Sequence, residues 1–118
     1  MKTVLIVDDS SFMRRMIKKI VTKNGYDVVG EADNGRLGVK MYKELNPDLV
    51  TMDLVMGEMS GLDALKQILE ADPNANVIMV SSMGQDVIVR DAIVLGAKNF
   101  LLKPLNEEKM MEAITILF

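Results

Sequence analysis

Four short apolar runs in this chain each end in a polar group at the same place. Val4-Leu5-Ile6-Val7 leads into Asp8-Asp9, Leu49-Val50-Thr51-Met52 into Asp53, Val77-Ile78-Met79-Val80 into Ser81-Ser82, and Phe100-Leu101-Leu102 into Lys103-Pro104. Apolar runs of this length without alternation are the pattern of strands covered on both faces. In an open parallel sheet, ligands bind outside the carboxyl ends of the strands, near the point where strand order reverses. Such a sheet would gather all four polar groups into one crevice.

Helical patterns alternate with these runs. Met13, Met16, Ile17, Ile20 and Val21 recur at helical spacing and stop at Asn24-Gly25. Residues 26–31 read as a further short strand. Asp33-Asn34-Gly35 then opens a helix whose expected core face is Leu37, Met41, Tyr42 and Leu45, stopped by Asn46-Pro47. Leu62, Leu65, Ile68 and Leu69 mark a third helix ending near Asp72-Pro73. The fourth, residues 85–95, has Val89, Ala92 and Ile93 as an adequate core stripe, so Val87, Ile88, Val94 and Leu95 are surplus apolar surface. Its partner-patch reading stands beside ordinary scattered exposure. From about Asn106 a last helix shows Met110, Ala113, Ile114 and Leu117 on one face. Five strand-helix units predict one domain over residues 1–118: a doubly wound, five-stranded parallel sheet with right-handed crossovers and five helices on its two faces.

Composition narrows the chemistry. The chain has 118 residues, a net charge of -3, no cysteine and no histidine. Disulfides, thiolate nucleophiles, imidazole bases and His- or Cys-ligated metals are therefore excluded on this chain. Lys and Arg are scattered, giving no footprint for nucleic acid. No apolar run approaches the roughly 20 residues of a membrane span. A cytoplasmic protein that works without nucleic acid or membrane is expected, as a monomer.

The acidic residues make the strongest demand. In a 2-1-3-4-5 strand order, one of the common doubly wound arrangements, strand one neighbours strand three, and Asp8, Asp9 and Asp53 share a pocket. Unit charges 4 Å apart repel by about 4 kcal/mol at an effective dielectric of about 20. Three carboxylates there require cations. A hard divalent ion with oxygen ligands, Mg²⁺, suits the set, and Lys103 supplies an ammonium. A carboxylate facing such charges and a hydroxyl is equipped to attack a phosphoryl group. Asp8-Asp9 taken alone would serve equally as a helix cap.

These residues carry a family resemblance. Val-Asp-Asp at 7–9, Met-Asp at 52–53, Met-Gly-Glu-Met-Ser-Gly at 56–61, Ser82, Gly-Ala-Lys at 96–98 and Lys-Pro at 103–104 together resemble the receiver domains of bacterial two-component response regulators, above all the stand-alone chemotaxis regulators. The resemblance covers essentially the whole chain and implies the flavodoxin-like order 2-1-3-4-5. It implies that Asp53 is the phosphoacceptor, that Asp9, Asp53 and the Val55 carbonyl bind Mg²⁺ directly, and that Asp8 acts through water. Ser82 and Lys103 would hold the phosphoryl oxygens, and Phe100 would change rotamer with Ser82. The implied donor is a phosphohistidine on a CheA-like histidine kinase, consistent with a chain that has no histidine. The implied output is a surface of the fourth helix, fifth strand and fifth helix that binds a flagellar motor-switch protein or a phosphatase.

Departures from the family pattern carry expectations too. Gly57 stands where proline is usual and should loosen the loop that presents Val55. Phe100 replaces a frequent tyrosine and removes a hydroxyl. Val55 and Gly84 flank the site without polar side chains and are expected to influence dephosphorylation. Three other functions compete: an intermediate receiver in a phosphorelay, a Mg²⁺-dependent aspartyl phosphohydrolase, and a flavin-binding electron carrier. The hydrolase would need an acid-base aspartate at position 55, where valine stands, and the flavin protein a phosphate-cradling loop where Asp8-Asp9 stand.

Overall fold

The computed structural model describes residues 1–118. Its elements follow the expected alternation: β1 (Thr3–Val7), α1 (Ser11–Lys23), β2 (Asp27–Ala32), α2 (Gly35–Leu45), β3 (Leu49–Asp53), α3 (Gly61–Ala71), β4 (Val77–Ser81), α4 (Asp86–Leu95), β5 (Asn99–Leu102) and α5 (Glu107–Thr115). The strands form one parallel sheet in the order β2-β1-β3-β4-β5. The order expected from the sequence is thus the observed one.

Local chemistry sets the helix starts. Ser10, Asn34, Ser60 and Asn106 each accept a hydrogen bond from the backbone N–H three residues on, at 2.8–3.2 Å, satisfying donors that the first turn leaves free. Three of these caps lie just after a strand, which is how each helix reverses back over the sheet.

Strand pleating sorts the core into two layers. Leu5, Val7, Val50, Met52, Val77 and Met79 face α2, α3 and α4, whereas Val4, Ile6, Leu49, Ile78 and Val80 face α1 and α5. The central strands β1, β3 and β4 are buried almost throughout, which explains their unbroken apolar runs.

Two helix faces differ from the sequence reading. On α2 the buried residues are Gly35, Gly38, Val39 and Tyr42, while Leu37 and Leu45 are exposed. Gly38 lies so close to Val7 that an added Cβ would sit 2.9 Å from its methyl, and this close approach turns the helix so that Val39 points inward. On α4 only Ala92 is fully buried; Ile88 packs on the core, and Ile93 is 44% exposed. The inward stripe is therefore Ile88 and Ala92, and Ile93 joins Val87, Val94 and Leu95 on the outside.

Candidate functional site

The register of the sheet decides which polar groups meet. Val7 pairs with Met52, Asp53 with Val80, and Ser81 with Leu102. Side chains alternate faces along a strand. One step past these pairs, Asp8 comes beside Asp53, and Ser82 beside Lys103. All four fall on the α1/α5 side, because Ile6, Val80 and Leu101, two residues before Asp8, Ser82 and Lys103, pack there.

Asp8 is fully buried. Its Oδ1 accepts the Ser10 N–H at 2.9 Å, its Oδ2 lies 3.1 Å from Lys103 Nζ, and its carbonyl accepts from Arg14 Nη1 at 2.7 Å. Asp53, 6% exposed, accepts the Leu54 N–H on Oδ1 at 2.8 Å, and that oxygen is 3.5 Å from Lys103 Nζ. Asp9 is exposed at the rim. One carboxylate oxygen from each of Asp8, Asp9 and Asp53 lies within 4.8 Å of the others.

The electrostatics follow. Burial, then the neighbouring Asp8 charge, pushes the Asp53 carboxyl up to about 6; the Lys103 ammonium and the Leu54 N–H pull the other way, and Asp9 adds a smaller upward push. Three carboxylates against one ammonium leave two uncompensated negative charges. Asp8 Oδ2 is buried and accepts no hydrogen bond. The Leu54 carbonyl is taken by the Gly61 N–H at 2.7 Å, whereas the Val55 carbonyl accepts no backbone bond. An all-oxygen set short of two positive charges fits a hard divalent cation such as Mg²⁺.

Gly61 is indispensable to this geometry. A Cβ there would run into the Asp53 carbonyl and the Leu54 backbone. The start of α3 thus presses directly against the loop that follows Asp53. What the site requires of Gly61 is close approach. Arg14 was missed in the sequence. It bonds the Asp8 carbonyl and pairs with Glu31 on β2 at 3.3 Å, and the one trace in the sequence was a cation on the first turns of α1.

Ser81 and Ser82 separate cleanly. The Ser81 hydroxyl is buried and accepts the Met83 N–H at 3.1 Å, closing the turn, while Ser82 is exposed with its hydroxyl free of side-chain bonds. Phe100 is not in the crevice. It is half-buried on the opposite face of β5, among the residues packed toward α2, α3 and α4. Gly57 meets no obstruction to a side chain. The turn around it is held by the Met59 N–H donating to the Gly57 carbonyl at 2.8 Å, with Glu58 at φ 71°.

The family model for the response regulator receiver domain matches residues 4–115. The chain belongs to the response regulator receiver family. Chemotaxis protein CheY of Thermotoga maritima is 56% identical over 96% of this chain and 94% of its own length. CheY of Bacillus subtilis is 55% identical over 94% of this chain and 92% of its own. The CheX-CheY-BeF3-Mg²⁺ complex from Borrelia burgdorferi contains a chain matched at a TM-score of 0.96 and 39% identity, covering 99% of this chain and 89% of that one. This receiver domain is therefore a response regulator of the chemotaxis type, a phosphoryl-accepting signalling domain of a family that binds Mg²⁺. No helix of the receiver domain is long and apolar enough to cross a membrane.

Proposed function

We propose that this receiver domain accepts a phosphoryl group on Asp53 from the phosphohistidine of a CheA-like kinase and then binds a chemotaxis target. The observation that carries the reading is Lys103 Nζ held 3.1 Å from Asp8 and 3.5 Å from Asp53, with a buried, charge-deficient oxygen set around it. An Asp53 carboxylate oxygen attacks phosphorus, the P–N bond to the donor imidazole breaks, and an acyl phosphate remains. Mg²⁺ would neutralise the transferring oxygens. Asp9, Asp53 and the Val55 carbonyl would hold it directly, and buried Asp8 through water.

The other residues have separable tasks. The Lys103 ammonium pairs with one phosphoryl oxygen, at the expense of its contact with Asp8. The free Ser82 hydroxyl donates to another. The phosphoryl group adds charge of about -1.5 to -2, and the strand ends carrying Ser82 and Lys103 respond to it. Phe100 couples that response to α4 by packing behind β5, on the side away from the crevice.

The output face is α4-β5-α5. Val94 is 79% exposed, with Val87, Ile93, Leu95 and Leu102 also exposed beside it. A groove of about 340 Å³ runs between β5 and α5, lined by Phe100, Leu102, Pro104, Leu105 and Lys109 among others. Apolar surface next to a cation suits a motor-switch protein or a phosphatase segment. The relative solved in complex with CheX supports a chemotaxis protein as one partner. Action in the cytoplasm, as a monomer, completes the reading. The hydrolase alternative is disfavoured because Val55 is exposed at the position where an acid-base carboxylate would be needed.

The test is intact mass after incubation with acetyl phosphate and Mg²⁺, in wild type and Asp53→Asn. A single metal-dependent phosphoryl adduct absent from the variant is expected. An adduct that persists in Asp53→Asn overturns the assignment.

A further inference from the structure

We propose that Thr51 is a positioning residue for the phosphorylation site, holding the undersides of the Asp8 and Asp53 carboxylates through one buried water. The inference rests on the reading of these carboxylates as the acceptor and metal site.

Two buried side-chain oxygens in the molecule take no hydrogen bond, Asp8 Oδ2 and Thr51 Oγ1. The first has the Lys103 ammonium 3.1 Å away. Thr51 has nothing. It is fully buried in the middle of β3, paired in register with Ile6 on one side and Ile78 on the other. A hydroxyl left unpaired in such a place is destabilising, and valine would fill the same volume without that cost. A hydroxyl at this position therefore calls for a partner that the surrounding protein does not supply.

Strand geometry shows where the partner sits. Ile6, Ile78 and Val80, which flank Thr51 on its face of the sheet, are apolar and offer nothing. Asp53 is two residues further along the same strand and on the same face. Asp8 lies diagonally across on β1, beside Asp53. Two residues of strand span about 6.6 Å, a gap that one water bridges between a hydroxyl and carboxylate oxygens. A buried water needs two to four polar partners. Here it would accept the Thr51 O–H and donate one proton to Asp8 Oδ2 and one to Asp53. A single molecule would give the Thr51 hydroxyl its missing partner and Asp8 Oδ2 a donor beside the Lys103 ammonium. The consequence is directional: the water would add a second restraint to carboxylates already held by the Ser10 N–H on Asp8 Oδ1 and the Leu54 N–H on Asp53 Oδ1, fixing the rotation at which they meet the metal and the phosphoryl group.

The experiment compares the intact chain with Thr51→Val and Thr51→Ser, measuring Mg²⁺ affinity by calorimetry, Tm, and the rate of adduct formation with acetyl phosphate. Removal of groups that orient metal ligands commonly weakens metal binding by 10- to 100-fold, and a contact through water should give the lower end, about tenfold. Thr51→Val should therefore bind Mg²⁺ about tenfold more weakly while its Tm stays level or rises, and Thr51→Ser should restore binding to within about twofold of wild type. A purely structural threonine would instead lower Tm in the valine variant and leave Mg²⁺ binding alone. Wild-type affinity in Thr51→Val overturns the proposal, as does an atomic-resolution crystal structure with no water between Thr51 and the carboxylates. A wild-type chain that binds no Mg²⁺ overturns the underlying metal reading itself, a different outcome from equal binding by both.

Discussion

Lys103 sits closer to Asp8 than to Asp53, with Nζ 3.1 Å from the Asp8 carboxylate and 3.5 Å from the Asp53 carboxylate. The ammonium is thus shared before any phosphoryl group arrives. It neutralises a fully buried carboxylate at the foot of the site and remains within reach of the chemistry at its top.

Sharing has a measurable consequence for metal binding. Lys103 competes electrostatically with a cation for the same carboxylates. Lys103→Met should tighten Mg²⁺ binding by about three- to tenfold at neutral pH, from Coulomb interactions at an effective dielectric of about 20 discounted for partial exposure. The same change should slow adduct formation from acetyl phosphate. Calorimetry and intact mass read the two effects, and weaker Mg²⁺ binding in the variant would contradict this electrostatic account.

The raised Asp53 carboxyl predicts a pH dependence with a definite sign. In the unfolded chain an aspartate ionises near about 4, whereas in the fold Asp53 does so at about 6. Between those values the native state holds the proton and the unfolded state does not. Stability contributed by this group is therefore present at acid pH and is lost as pH rises through 6. In metal-free buffer, Asp53→Asn should raise Tm at pH 7.5, and its advantage over wild type should shrink as pH falls from 6 toward 4. Mg²⁺ binding to the wild type should weaken below pH 6, where a proton competes for the same oxygen. A Tm gain independent of pH would rule out this origin.

Gly61 should tolerate no side chain. An alanine Cβ meets the Asp53 carbonyl and the Leu54 backbone, which cannot rotate aside as a side chain would. Overpacking of this kind costs about 1–3 kcal/mol. Gly61→Ala should lower Tm by several degrees and, on the proposed role of Asp53, reduce adduct formation together, because the displaced backbone carries the Asp53 carboxylate. A variant with normal stability and normal phosphorylation would mean that the loop gives way freely.

Gly57 is the opposite case. No atom lies within 4 Å of where its Cβ would be, and its φ lies outside the left-handed region. Its carbonyl, rather than its N–H, makes the turn's hydrogen bond. Gly57→Pro should therefore be accepted, with a gain of about 0.4–1 kcal/mol from a less flexible unfolded chain. It should also tighten Mg²⁺ binding by steadying the Val55 carbonyl. Chemical denaturation and calorimetry check both, and a destabilised proline variant would show that this loop needs the freedom of glycine.

Much of the molecule was legible without coordinates because the period-two and period-3.6 patterns are local. Unbroken apolar runs such as residues 4–7 and 77–80 announce strands buried on both faces, and Asn34 and Asn106 announce helix starts. The polar residues at the strand ends were visible for the same reason. The strand order came from family resemblance, and the sheet bears it out.

What only the tertiary structure decided depends on distance across the chain. The resemblance named Ser82, but why it rather than Ser81 faces the crevice lies in the pairing of Ser81 with Leu102, a register that no local pattern encodes. The rotation of α2 depends on Val7 meeting Gly38, and the exposure of Ile93 on how α4 rests against the sheet. The partition of Lys103 between Asp8 and Asp53 is a matter of tenths of an ångström between residues 95 and 50 positions apart in the chain. By itself the sequence determined the elements and the chemistry available to them. Packing and long-range register determined which groups touch, because contact energies fall off over a few ångströms while sequence patterns report only on neighbours along the chain.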